Sequence, residues 1–137
     1  MLQNDPLNEP EAGAVIDFRY LEHKDASNPD KSMAEVRPCL IWNVRTIERL
    51  QLVAVLPIIS GATGARVSIP PAERAALGLD SMADVVFEEA NVFLWSGPYL
   101  QPQPDRSLVR QNRASKQLLE TIADGMTGRS RNIVFRP

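Results

Sequence analysis

A chain of 137 residues, 44% of them hydrophobic, has room for one domain around a single core. A formal net charge of −2 and a pI near 5.4 exclude a globally basic nucleic-acid binder, though not a local positive patch around a few phosphates. No apolar run reaches the roughly 20 residues that cross a bilayer, and the single Cys39 excludes an internal disulfide.

Residues 1–12 hold three acids and no base and carry Pro6 and Pro10. They read as a flexible arm rather than a signal peptide, so a cytoplasmic location is expected. A first strand is predicted over residues 14–21. The polar stretch 23–35, with Asn28-Pro29-Asp30 as its turn signal, is a long loop of the kind that carries function. Residues 38–44 and 51–58 are predicted as strands two and three, rich in Val, Ile and Leu. Pro38 suits a strand's first position because it has no N–H to give to a ladder. The link between these two runs lacks Gly and Pro, so its turn type is not defined by sequence.

Ser60-Gly61-Ala62-Thr63-Gly64 reads as a flexible loop, and residues 66–69 as a short fourth strand. Pro71 suits the first position of a helical turn that Gly78 would stop. Residues 84–88 alternate as a fifth strand, with Val85 and Phe87 on one face. Residues 89–95 read as a polar turn whose Phe93 and Trp95 belong to the core. Gly97, Pro98, Pro102 and Pro104 exclude regular structure until about residue 105. Between residues 108 and 126, Ala114, Leu118, Ile122 and Met126 recur every four positions with Leu119 beside them. That is one apolar helical face, which Gly125 or Gly128 can end. Residues 132–135 are expected to form a last edge strand. The final third is basic: residues 106–136 hold six arginines and one lysine against two acids.

Four motifs recur in an informative order. Glu35-Val36-Arg37-Pro38-Cys39-Leu40-Ile41-Trp42 sets an Arg-Pro pair before an apolar run, and Leu52-Val53-Ala54-Val55-Leu56-Pro57-Ile58 ends a second run in Pro-Ile. Gly13-Ala14-Val15-Ile16 opens the first strand. Glu89-Ala90-Asn91-Val92-Phe93-Leu94-Trp95-Ser96-Gly97-Pro98-Tyr99-Leu100 closes the set. Over roughly residues 13–104 this layout resembles a diverged proteobacterial branch of the PemK/MazF toxins, small endoribonucleases. The fold so implied is mainly β with α: a small SH3-like β-barrel of PemK/MazF type spanning residues 13–137, with a C-terminal helix at about 108–126. The activity implied is that of a type II toxin–antitoxin toxin, cutting single-stranded RNA without metal or cofactor. The implied partners are that RNA, a cognate antitoxin protein and a second copy in a homodimer, with no membrane.

The resemblance makes Arg37, Ser60 and His23 the catalytic candidates, and Arg19, Lys24, Glu89 and Asn91 the candidates for touching substrate. A guanidinium presents a planar fork of donors to phosphate oxygens, which suits Arg37 to a charged transition state. The alternative for Arg37 is an ion pair with an acid such as Glu35 or Glu89 at a barrel rim. The family follows its Pro-Ile with a threonine, whereas this chain has Ile59 and then Ser60. Neighbouring strand residues face opposite sides, so Ser60 replaces that threonine only if the strand ends or bulges there. His23 is the one histidine; it can move a proton near neutral pH or simply be solvated. One His and one Cys do not make a usual metal-ligand set. A catalytically silent PemK/MazF-like barrel that binds protein is the second reading, favoured by Ile59.

Overall fold

The computed structural model describes residues 8–28 and 34–137. Among these residues eight strands carry the fold: β1 (Val15–Arg19), β2 (Val36–Ile47), β3 (Leu50–Ser60), β4 (Arg66–Ser68), β5 (Ala83–Val86), β6 (Glu89–Leu94), β7 (Leu100–Gln101) and β8 (Asn132–Arg136). Two helices accompany them, α1 (Pro71–Ala76) and α2 (Lys116–Met126), with a 3-10 turn at His23–Asp25. The molecule is mainly β with α.

The strand path runs β4-β5-β3-β2-β1-β7, and β6 attaches to β3 and carries β8 on its other side. Among the described residues the strand pairings leave the sheet open. All pairings are antiparallel except β6 with β8. The path forks at β3. Its first part pairs with β2 and β6, and from Ile58 onward it pairs with β5 instead. The β2–β3 ladder therefore ends at Cys39 opposite Pro57, two residues short of Arg37.

Both faces are covered along residues 39–41 of β2 and 55–58 of β3, which explains why those stretches read as continuous apolar runs. On one face Ile16, Phe18, Tyr20, Cys39, Ile41, Val53, Val55 and Phe93 close a core, with the Phe18 and Phe93 rings stacked at 4.5 Å. On the other, Val15, Leu40, Leu56, Ile58, Val85, Phe87 and Ala90 pack against Leu118 and Ile122 of α2. A register shift between Ile41 and Asn43 leaves Trp42 as the extra residue, packed against this second core.

Three sequence expectations are corrected. The helix predicted from residue 108 begins only at Lys116. Before it, Arg110 N–H donates to Val15 O and Ala114 N–H to Gly13 O, so the backbone is spent on the first strand and its lead-in. Ser115 then caps the helix by accepting from Leu118 N–H at 3.1 Å. Residues 89–94, read as a turn, form the strand β6 between β3 and β8. The end of the expected loose arm is also seated: Pro10 is buried, Trp95 Nε1 donates to Asn8 O at 3.2 Å, and Glu11 pairs with Arg113. Residues 1–7 of that arm, and 29–33 of the long loop, lie outside the described residues.

Candidate functional site

The first strand leaves the sheet at Arg19, and two polar side chains of β6 decide where the chain goes next. Asn91 is fully buried. Its Oδ1 accepts from Leu21 N–H and its Nδ2 donates to Leu21 O, both at 2.8 Å. The carboxamide thus stands in for a neighbouring strand at the one point where the backbone would be orphaned. Glu89, half-buried, accepts from Tyr20 O–H at 3.1 Å and from His23 N–H at 3.2 Å. Burial first, and then the Glu89 charge, push the Tyr20 hydroxyl far above its ordinary range, so it stays protonated and donates.

Held this way, Glu22 reaches Arg37, which lies on β2 beyond the end of the β2–β3 ladder. Arg37 lies opposite Phe18 in the β1–β2 register, with its side chain 27% exposed. Its guanidinium pairs with Glu22 at 3.7 Å, and Lys24 Nζ reaches the other Glu22 oxygen at 3.2 Å. The Nε of Arg37 is buried with no hydrogen-bond partner among the described residues. One carboxylate therefore serves two cations, Lys24 closely and Arg37 at longer range. The Lys24 contact is fully exposed and screened by solvent, and the Arg37 contact is long, so a doubly contacted phosphate oxygen pair can displace Glu22. Beneath them the Cys39 thiol is buried; burial pushes it upward and Arg37 pulls weakly the other way, which leaves it protonated and inert.

Of the residues singled out by sequence, Arg37, His23, Lys24, Glu89 and Asn91 gather around this exit of β1. Asn91 and Glu89 use their polar atoms on Leu21, Tyr20 and His23, so both hold the segment in place. His23 and Lys24 are exposed. Arg19 lies next to the cluster, but its Nη1 is spent on Ala34 O at 3.0 Å. Ser60 is not brought in: it ends β3 opposite Ala83 and is exposed, with no described bond to Arg37 or His23. Ile59, half-buried, faces Asp84 across the β3–β5 ladder. The acid that meets Arg37 is Glu22, rather than the Glu35 or Glu89 considered from sequence. Its signal was the dense charged run Glu22-His23-Lys24-Asp25 at the end of an apolar strand.

A second polar centre lies elsewhere. Arg110 reaches Asp17 with two nitrogens, at 2.7 and 3.4 Å, and donates to Leu77 O at 2.5 Å at the end of α1. Gln103 Nε2 donates to the same Asp17 carboxylate at 2.5 Å. The neighbouring cleft measures about 520 Å3 and is lined by Leu77, Gly78, Gln103, Ser107 and Asn112. Size does not make it the better candidate, because its one strong cation is saturated by protein acceptors. A smaller cleft of about 300 Å3, lined by Leu21, Ser27, Asn28, Tyr99 and Phe135, flanks the 20–24 segment.

Among the described residues no three His, Cys, Asp or Glu side chains gather as a metal-ion site, and no helix is long and apolar enough to cross a membrane. No family model matches the chain, and no curated protein or solved structure matches it either.

Proposed function

We propose that this chain is a toxin of PemK/MazF type, a metal-independent endoribonuclease that cuts single-stranded RNA in the cytoplasm and is restrained by an antitoxin protein. The observation that carries the reading is Arg37 itself: a half-buried guanidinium beyond the end of the β2–β3 ladder, weakly paired and with one nitrogen unsatisfied among the described residues. The bent, open sheet is read as an SH3-like barrel. In this scheme a phosphodiester displaces Glu22, and Arg37 donates to the two non-bridging oxygens while Lys24 adds a second charge. His23 takes the proton of the 2′-hydroxyl as its oxygen attacks phosphorus. The bond from phosphorus to the 5′-oxygen breaks, that oxygen takes a proton from solvent, and a 2′,3′-cyclic phosphate is left.

The second reading, a silent barrel that binds protein, draws on two observations. Ile59 occupies the family's threonine position, and Ser60 stands apart from Arg37. Incubating the protein with a long single-stranded RNA in excess EDTA separates the two. Cleavage giving cyclic-phosphate ends, absent on DNA of the same sequence, supports the nuclease; intact RNA at micromolar protein removes it.

A further inference from the structure

One sheet face is covered along half its length and bare along the other half. Alternation puts Leu56 and Ile58 of β3 beneath Leu118 and Ile122 of α2, together with Ala90 of β6. Further along the same strands and on the same face, the helix is gone. There Ile47, Leu50, Leu94, Ile133 and Phe135 are 51, 57, 42, 53 and 54% exposed. They are neighbours in register rather than scattered: Ile47 pairs with Leu50, Leu52 with Leu94, and Val92 with Phe135. A contiguous apolar face of this kind marks an interaction surface.

We propose that this bare face is the docking site for an acidic amphipathic helix of a partner protein. The face spans β2, β3, β6 and β8, and three gaps of about 4.8 Å make it about 14 Å wide, close to the width of one helix with its side chains. The adjoining half already carries a helix, α2, seated by its own apolar stripe. Charge selects the partner. Arg45 lies on the face opposite Leu52, Arg49 sits in the β2–β3 turn, and Arg131 precedes β8 at the other end. The acids nearby are Glu48 in the same turn and Glu88 before β6. The homodimer expected from sequence is disfavoured here, since a two-fold pairing of identical patches sets this arginine-rich rim against itself. Carboxylates flanking a leucine stripe meet both demands at once.

The proposal is independent of RNA cutting and survives the loss of that reading. Its test uses two synthetic helical peptides titrated calorimetrically into the full chain. One has leucine at positions i, i+3, i+4 and i+7 with glutamate along the flanks; the other replaces every glutamate by lysine. The glutamate peptide is expected to bind about tenfold tighter than its twin. Arg45→Glu combined with Arg131→Glu should invert that preference, and Leu94→Ser with Phe135→Ser should abolish binding of either peptide. Equal binding of the twins, or no binding of the glutamate peptide, overturns the proposal. So does a sedimentation result in which the parent is a dimer and the Leu94→Ser, Phe135→Ser variant a monomer, because a second copy then owns the face. A parent that sediments as a monomer supports it.

Discussion

Arg110 and Arg37 are both half-buried and both meet a carboxylate, yet they are held in opposite ways. Arg110 reaches Asp17 at 2.7 and 3.4 Å and spends another nitrogen on the carbonyls that end α1. Arg37 has one acid at 3.7 Å, shared with Lys24, and an Nε with no partner among the described residues. A saturated guanidinium is a staple between elements. An under-satisfied one keeps donors not committed to the fold. The contrast teaches that satisfaction of donors, more than burial or the size of the nearest cleft, separates a structural arginine from a functional candidate.

The largest expected effect sharpens that contrast directly. Arg37→Ala should lower RNA cleavage about a hundred- to a thousandfold, the usual cost of losing one stabilising contact to a charged transition state. Its thermal midpoint should stay close to the parent's, because the one ion pair lost is weak. A variant that unfolds instead would make Arg37 as structural as Arg110.

Asn91→Ala should come next. It leaves Leu21 N–H and C=O without partners, at about 1–3 kcal/mol for each buried group. Urea denaturation measures the loss, and cleavage per folded molecule should fall as well, because residues 22–24 lose their anchor. Arg110→Ala should cost about 2 kcal/mol by the same measurement, with the Asp17 carboxylate left without its cation and held by Gln103 alone. Its cleavage per folded molecule should match the parent's; a loss there as large as for Arg37→Ala would erase the distinction between the two centres.

Glu22→Gln has the smallest expected effect. Removing the competing charge should raise affinity for a short single-stranded oligonucleotide about two- to fivefold, most visibly at low salt. Weaker binding in this variant would mean that Glu22 orients Arg37 rather than competes with substrate.

Much of this fold was legible along the chain. Strands β1 to β5 fall within a few residues of their predicted bounds, because Val, Ile and Leu runs bounded by Gly, Pro and polar residues carry a local signal. Pro71 stands at the first position of α1, and Gly78 follows it with a φ of +66°, as a helix stop requires. Strand β6 was hidden by its own composition. Glu89 and Asn91 break the apolar pattern of a buried strand, and they are tolerated there because Tyr20, Leu21 and His23, 66 to 70 residues earlier in the chain, satisfy them. The start of α2 was hidden for a similar reason. The period-four pattern runs back to Ala114, but hydrogen bonds to Gly13 and Val15 hold residues 110–114 out of the helix.

Sequence by itself determined the class of the domain, its strand-forming runs, the apolar face of its last helix and the candidacy of Arg37, since each rests on residues within one element. Only the tertiary structure decided that Glu22 meets Arg37, that Ser60 stands apart, that Asn91 is a clamp, and that half of one sheet face stays bare. These depend on pairings such as Asn91 with Leu21, 70 residues apart, and on where β3 leaves β2 for β5. Such contacts are set by how the chain reverses and packs, and no periodicity within a single element encodes them.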